Sequence, residues 1–475
     1  MICTFSRPAR VVLATLVALF LAPACLFAAE PNTHDGPLDR YLAKPDASFR
    51  WKVVQSTPGD GVTSHVLDVT SQTWRTSDDV NRTEWQHWVV VVVPDKVTTD
   101  HALLLIGGGR NGGDAPREAD GFLRAVAAAT GSVTVEVKQT PNQPLIFHND
   151  GVNRVEDDLI AYTWDQFLKT GDETWPARLP MVKGVVRAMD AVQAFCLSEA
   201  GGKHDIQHFV VAGGSKRGWT TWLTGATDPR VSAIMPIVID VVNVKASMDH
   251  HYAAYGFWAP AVGNYVEHKI VDRKEMPEYA KLLAIEDPFS YRDRLTMPKY
   301  IINAAGDEFF LPDSSQFYFD ELQGEKHLRY VPNAKHSLDG SDARESIAAF
   351  YNAVFKGIPR PEFTWTFEDD GAIRVKSEQK PKQVNVWRAT NPDARDFRLD
   401  TIGPAYVSAE LTATADGEYV ARVPIPEAGW TAYFVELVYD SGFIHPFKFT
   451  TSVRVMPDTL PHQDKLDAIS GNGKP

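Results

Sequence analysis

Ser215, Asp307 and His336 have the types and the order along the chain for nucleophilic attack on a carbonyl. Ser215 lies in His208-Phe209-Val210-Val211-Ala212-Gly213-Gly214-Ser215-Lys216-Arg217-Gly218-Trp219, where a β-branched and aromatic run ends in a Gly-Gly-Ser turn and opens into a helical pattern. A strand, a tight turn and a helix in that order make a nucleophile elbow. The serine sits on strained backbone, only small residues fit beside it, and its hydroxyl projects above the sheet. The usual G-x-S-x-G spacing is not kept: Arg217 stands at the third small position and glycine arrives one residue later, at Gly218. A serine hydroxyl is a weak nucleophile, so it needs a base to take its proton and an acid to orient that base. Both stand downstream. Asp307 follows the apolar run Tyr300 to Ala304 through Gly306, and His336 lies in the loop Pro332 to Ser337 after the next strand-like run.

The order Ser, Asp, His, each after a strand, is that of α/β-hydrolases. Asp240 also ends an apolar run and is the alternative acid; Asp307 is preferred because its Gly-Asp turn stands one strand before the histidine loop. Glu308 is expected to point away from the site. The other downstream histidines take lesser roles, His327 at a strand start, His445 in the C-terminal β region and His462 in the tail. A developing oxyanion would take the backbone N–H of Lys216 and one from the glycine loop, at Gly108, Gly109 or Arg110. That loop also contains a formal G-x-G-x-x-G at Gly107, Gly109 and Gly112. A nucleotide site is not expected there, because the loop is wide and Glu136 falls in mid-strand. Asp249-His250-His251 invites a metal reading, but adjacent histidines diverge and no H-E-x-x-H spacing is present. Neither a metal nor a cofactor is expected. Arg110, Lys216 and Arg217 near the mouth would suit an anionic substrate unless they are salt-bridged, and Arg154 beside Glu156 and Asp157 suggests an ion-pair cluster holding the glycine loop.

The elements that must position these groups follow the period of the apolar residues. Two weakly alternating segments from Ser48 to Trp74 read as antiparallel edge strands, and the runs Trp85 to Pro94 and His101 to Ile106 as strands buried on both faces. Next come a helix that Asp114 could cap, the strand Ser132 to Val137, and helices from Glu156 to Leu168 and Met181 to Leu197. After the elbow come a helix from Lys216 to Thr227 and a strand from Val231. Repeated strand and helix alternation predicts a doubly wound, mainly parallel sheet covered on both sides. It lapses from about 241 to 291, a segment rich in aromatic residues that reads as an inserted cap. It then resumes with a helix around Ser314 to Leu322 and a last helix from Ala343 to Phe355, which closes a hydrolase domain of residues 40–357. The stretch Gly357-Ile358-Pro359-Arg360-Pro361 is a stiff linker. Residues 362–455 alternate as half-buried strands of an antiparallel β-sandwich, and 457–475 read as a frayed polar tail.

A net charge of −13 and a pI near 5.5 offer no basic surface, so no nucleic-acid partner is expected. The first 29 residues, with Arg7 and Arg10 before the apolar run Val11 to Leu21 and Ala28-Ala29 before Glu30, have the form of a secretory leader. Its removal predicts an exported chain, periplasmic or extracellular, with no stable membrane insertion. Cys3 and Cys25 fall in that leader, leaving Cys196 as the one cysteine of the mature chain, which excludes an intrachain disulfide there. Its place on an apolar helix face reads as core.

Four longer phrases go beyond a generic hydrolase: Lys138-Gln139-Thr140-Pro141-Asn142-Gln143-Pro144-Leu145, Arg154 to Trp164, Trp175 to Lys183, and Gly214-Ser215-Lys216-Arg217-Gly218-Trp219-Thr220. Together they resemble the PhoPQ-activated pathogenicity-related protein family over about residues 40–455. The resemblance implies an α/β-hydrolase fold with a serine at the Gly-Gly-Ser-Lys-Arg-Gly turn. It also implies export and an association with bacterial envelope stress and peptide resistance; the family includes secreted eukaryotic proteins linked to growth repression. The Gly-x-Ser-Lys/Arg-x-Gly form is similar to that of glucuronoyl and related carbohydrate esterases, and a β-domain joined to a hydrolase is similar to dipeptidyl-peptidase relatives. Neither likeness covers enough of the chain to carry an activity. The expectation is an exported serine hydrolase acting on an ester or amide of a small molecule or peptide. The alternative is a secreted binding or signalling protein that keeps the fold without turnover.

Overall fold

In the computed structural model, which describes residues 34–469, the sheet begins with β1 (Arg50–Pro58), β2 (Val62–Thr73) and β3 (Glu84–Pro94) in antiparallel register. Then come β4 (His101–Ile106), β5 (Val133–Val137), β6 (His208–Gly214), β7 (Val231–Ile237), β8 (Lys299–Ala304) and β9 (Lys326–Val331). Across the sheet the order is β1-β2-β3-β5-β4-β6-β7-β8-β9. Pairing is antiparallel between β3 and β5 and parallel from β5 through to β9. This is the α/β-hydrolase arrangement, in which parallel neighbours require crossovers and the crossovers are helices.

After α1 (Pro37–Ala43), the crossovers are α2 (Gly121–Thr130), α3 (Glu156–Thr170), α4 (Arg178–Leu197) and α5 (Lys216–Thr227). They cover both faces, and successive residues of a strand divide between them. Phe209 and Val211 of β6 join one core with Trp222 of α5 and Met189 of α4, whereas Val210 and Ala212 join a second core with Leu123 of α2. Cys196 is buried in the first, where burial pushes its thiol up to about 12. α2 is capped by Asp120, whose carboxylate accepts from Phe122 N at 2.8 Å, not by Asp114. The glycine loop therefore runs on as irregular chain to residue 120.

Between β7 and β8 the insertion consists of α6 (Val244–Tyr255), α7 (Gly263–Glu267), α8 (Pro277–Glu286) and short 3₁₀ turns. Downstream of β8 the helix expected around Ser314 to Leu322 is only a 3₁₀ turn, Ser314–Phe317. Asp313 is drawn into a buried charge cluster instead of capping a longer helix. α9 (Ala343–Phe355) then covers the second core.

The C-terminal strands form two antiparallel layers. β10 (Phe363–Phe367) and β11 (Ile373–Ser377) belong to a three-stranded sheet. β12 (Gln383–Asn391) leads through α10 (Leu399–Ile402) to β13 (Val407–Glu410), after which β14 (Glu418–Ala421) completes the small sheet. β15 (Trp430–Tyr439) pairs with β12, and β16 (Phe447–Thr450) and β17 (Arg454–Met456) each pair with β15. Ile373, Val375 and Ala421 of one layer meet Tyr433, Val435 and Leu437 of the other. The larger layer does not stand apart, because Thr450 pairs with Leu328 of β9 and so continues the central sheet. From Gly36 onward the chain forms one unit.

The tail differs from its sequence reading within the described residues. α11 (Gln463–Ile469) packs on α6, with Leu466 buried and His462 N donating to Ala253 O at 2.9 Å. An apolar anchor at Leu466 offsets the polarity around it. The leader at residues 1–29 lies outside the described residues, and among these no helix is long and apolar enough to cross a membrane.

Candidate active site

Ser215 joins β6 to α5 at φ 58 and ψ −127. A residue with a side chain in that region stores on the order of 1–3 kcal/mol of strain, which the surroundings must hold. They do so through Ser215 N, which donates to Ile237 O at 2.8 Å, and Trp219 N, which donates to Ser215 O at 3.0 Å. The small-residue demand of the turn falls on Gly213 and Gly218. A Cβ at 213 would meet Arg217 O at 2.6 Å, and one at 218 would meet Ile237 O at 2.8 Å and Gly213 O at 2.9 Å. The displaced glycine is thus the one the turn needs.

Arg217 fits because its side chain leaves the turn towards α3. Its guanidinium holds Glu156 in a fork, Nη1 to Oε2 at 2.8 Å and Nη2 to Oε1 at 2.7 Å, and Nε donates to Thr140 O at 2.6 Å. Lys216 Nζ pairs with Glu156 at 2.8 Å and Asp157 at 3.1 Å. Burial pushes the Glu156 carboxyl up, but the two cations outweigh it and hold it at about 2. The cluster expected from Arg154 therefore exists with Arg217 in its place; Arg154 pairs with Asp150 and stacks over Tyr162. Neither Lys216 nor Arg217 offers a free charge to an anionic substrate, since α3 presents carboxylates to both. Of the three cations only Arg110 is exposed and unpaired among the described residues.

Arg217 also lies against the glycine loop: a Cβ at Gly108 would come 2.8 Å from its Nη2. Among the described residues nothing accepts from the N–H groups of Gly108, Gly109, Arg110 or Lys216. The loop's carbonyls are engaged, with Gln139 N donating to Gly108 O at 2.8 Å and Gln143 Nε2 to Gly109 O at 3.2 Å. Held by their carbonyls, these peptides leave their donors unspent.

The end of β8 and the loop after β9 bring Asp307 and His336 together. His336 Nδ1 lies 2.8 and 3.1 Å from the two Asp307 oxygens, and Phe309 N donates to Asp307 Oδ1 at 2.8 Å. Burial raises the Asp307 carboxyl above its ordinary value, and His336 opposes the rise. Glu308 does not point away; its Oε2 accepts from His336 N at 3.0 Å and so fixes the histidine loop. Among the described residues, His336 Nε2 is buried with no hydrogen-bond partner. The Phe309 ring packs 4.3 Å from the imidazole, and Phe309 shares a cavity wall with Ser215. Asp240 is turned elsewhere, accepting from Tyr318 and Tyr330 hydroxyls at 2.7 Å each.

The cavity beside Ser215 measures about 60 Å³. Trp164, Trp219 and Ile239 wall it from the body of the domain, Val244, Met248 and Tyr265 from the cap, and Phe309 and Phe310 from the loop after β8. Its polar end is closed on itself: Tyr265 O–H donates to Asp157 at 3.2 Å, and Arg178 pairs with buried Glu286 at 2.9 Å. Sequence reasoning pointed to the cap's aromatic residues as a group but missed Phe309 and Phe310. An apolar doublet directly after a Gly-Asp turn was the available signal. His250 and His251 diverge, the first to Asp313 at 3.1 Å and the second accepting from Ala259 N at 3.1 Å.

The model of the PhoPQ-activated pathogenicity-related protein family matches residues 38–398. The chain belongs to this family. The chain is similar to autocrine proliferation repressor protein A of Dictyostelium discoideum, 42% identical over 454 residues, covering 90% of this chain and 91% of that protein. Among solved structures, acetyl xylan esterase 1 from Thermoanaerobacterium sp. JW/SL YS485 is 16% identical with a TM-score of 0.48, over 67% of this chain and 92% of that one. A glucuronoyl esterase from Solibacter usitatus is 13% identical with a TM-score of 0.40, over 67% and 91%. The family's matched region includes the elbow, the glycine loop, the cap and both loops that carry Asp307 and His336.

Proposed function

We propose that this family member is an exported serine hydrolase. Ser215 Oγ attacks an ester or amide carbonyl, and His336 Nε2 takes its proton and returns it to the leaving group. Asp307 holds the imidazole and stabilises its cation. The oxyanion is received by Lys216 N–H with an N–H of Gly108, Gly109 or Arg110. One observation carries the reading: the histidine is bonded through Nδ1 to a buried carboxylate, while its Nε2 is buried and unpartnered in a loop whose Phe309 shares a cavity with the serine. No hydrogen bond joins Ser215 to His336, and such contacts commonly tighten only when substrate binds. The small apolar cavity favours a short, uncharged acyl group or side chain over an anion. Export follows from the form of residues 1–29, and a role in envelope stress from kinship.

The likeness to a protein named for proliferation repression favours a second reading, a secreted signalling protein that keeps the fold without turnover. A fluorophosphonate probe separates the two. We expect the folded chain to be labelled, and labelling and p-nitrophenyl acetate hydrolysis to be lost in Ser215→Ala. Absence of labelling in a wild-type chain with native circular dichroism would overturn the hydrolase and leave the binder.

A further inference from the structure

The connection from β12 to β13, residues 391–406, belongs by sequence to the C-terminal β region, yet it reaches both loops beneath the candidate site. It is internally stapled and buried at Asn391, Arg395 to Phe397 and Tyr406. Asn391 Nδ2 donates to Asp396 O at 2.7 Å, Arg398 Nε donates to Asp396 Oδ1 at 2.9 Å, and Phe397 is 1% exposed. On the loop after β8, Leu399 N donates to Gly306 O at 2.9 Å, one residue before Asp307. The approach is close: a Cβ at Gly306 would meet Leu399 Cβ and N at 3.1 Å and Ala334 O at 2.9 Å. Six residues beyond Asp307, Arg395 Nη2 donates to Asp313 Oδ2 at 2.6 Å in a cluster completed by His250 of the cap. On the loop after β9, Asn333 Nδ2 donates to Tyr406 O and Asn333 Oδ1 accepts from Tyr406 N, both at 2.8 Å. Lys335, beside His336, pairs with Asp400.

We propose that residues 391–406 are the positioning element of the Asp307–His336 pair, a clamp that sets the separation of the two loops from below. The two loops also meet directly, Gly306 N donating to Ala334 O at 3.2 Å and His336 N to Glu308 Oε2 at 3.0 Å, and the segment adds bonds to each from outside the pair. A single rigid segment bonded to both fixes one against the other, which is what a hydrogen bond between two loop side chains demands. Asn333, Arg395 and Leu399 act through Asp307 and His336 and touch no substrate. The kinetic consequence rests on the hydrolase reading; the geometric one does not.

The test uses the full chain with Asn333→Gly, which keeps the backbone conformation at φ 53 but deletes both bonds to Tyr406. Asn333→Asp serves as the conservative variant that retains only the acceptor. The geometric readout is the deshielded Nδ1 proton resonance of His336, assigned by its loss in His336→Ala. We expect Asn333→Gly to shift or abolish it and Asn333→Asp to restore it in part. On p-nitrophenyl acetate, kcat should fall about tenfold to a hundredfold with KM within about twofold. An unmoved resonance, a wild type without the resonance, or a fall confined to the unfolding midpoint with kcat unchanged each overturns the clamp. A shifted resonance in a chain that neither hydrolyses esters nor takes the fluorophosphonate would uphold the clamp and overturn the hydrolase.

Discussion

The ends of β7 and β8 carry two aspartates in like settings with unlike neighbours. Asp240 and Asp307 are 3% and 4% exposed, each follows a buried strand, and burial raises the carboxyl of each. Asp307 faces an imidazole that can become a cation and so opposes the rise. Asp240 faces two tyrosine hydroxyls, which offer hydrogen bonds but no charge, and burial carries it to about 8 against them. The first arrangement suits an anion that stabilises a histidinium; the second suits a carboxyl that keeps its proton through neutral pH. What separates the two carboxyls is the partner across the gap, not depth or place on the sheet.

The sharpest way to break that comparison is to neutralise each acid in turn. Asp307→Asn should lower kcat on p-nitrophenyl acetate by about 10³–10⁴-fold, because the imidazole loses the group that sets its tautomer. Asp240→Asn should leave kcat within about threefold; an equal loss would move the acid to Asp240. Stability should respond to Asp240 in the opposite way. The folded chain holds its proton up to about pH 8, whereas the ordinary value is 3.8. Its contribution is therefore full below about pH 4 and lost as pH rises through about 8. Unfolding free energies across that range should fall more steeply for wild type than for Asp240→Asn, by up to about 6 kcal/mol. Parallel pH curves would show an ionised Asp240. The smallest expected effect is that of Tyr330→Phe, which removes one of the two donors to Asp240. It should cost about 1–3 kcal/mol in urea unfolding and leave kcat unmoved.

The charge cluster beside Ser215 teaches a related point. Lys216 and Arg217 directly follow Ser215 in sequence and suggest an anion site, yet both side chains turn to the first turn of α3. There Glu156 and Asp157 sit where a helix start favours acids. Most of the residues lining the cavity are instead apolar, and they come from the body of the domain, the cap and the loop after β8.

The elbow was legible from residues 208–219 because strand period, glycine pair and helix onset are local properties, and the order of serine, aspartate and histidine could be read along the chain. So could the inserted cap and the alternating strands beyond residue 362, since side-chain period reports which face is buried. The tertiary structure decided matters that join distant segments. It turned Asp240 to two tyrosines and gave Arg217, not Arg154, to Glu156. It brought Phe309 beside Ser215, joined the C-terminal layer to β9 through Thr450, and ran residues 391–406 beneath both loops. Local sequence encodes which conformation a segment prefers, whereas the partner of a buried charge is chosen by packing, because each such group must be paired by whatever the fold places within reach.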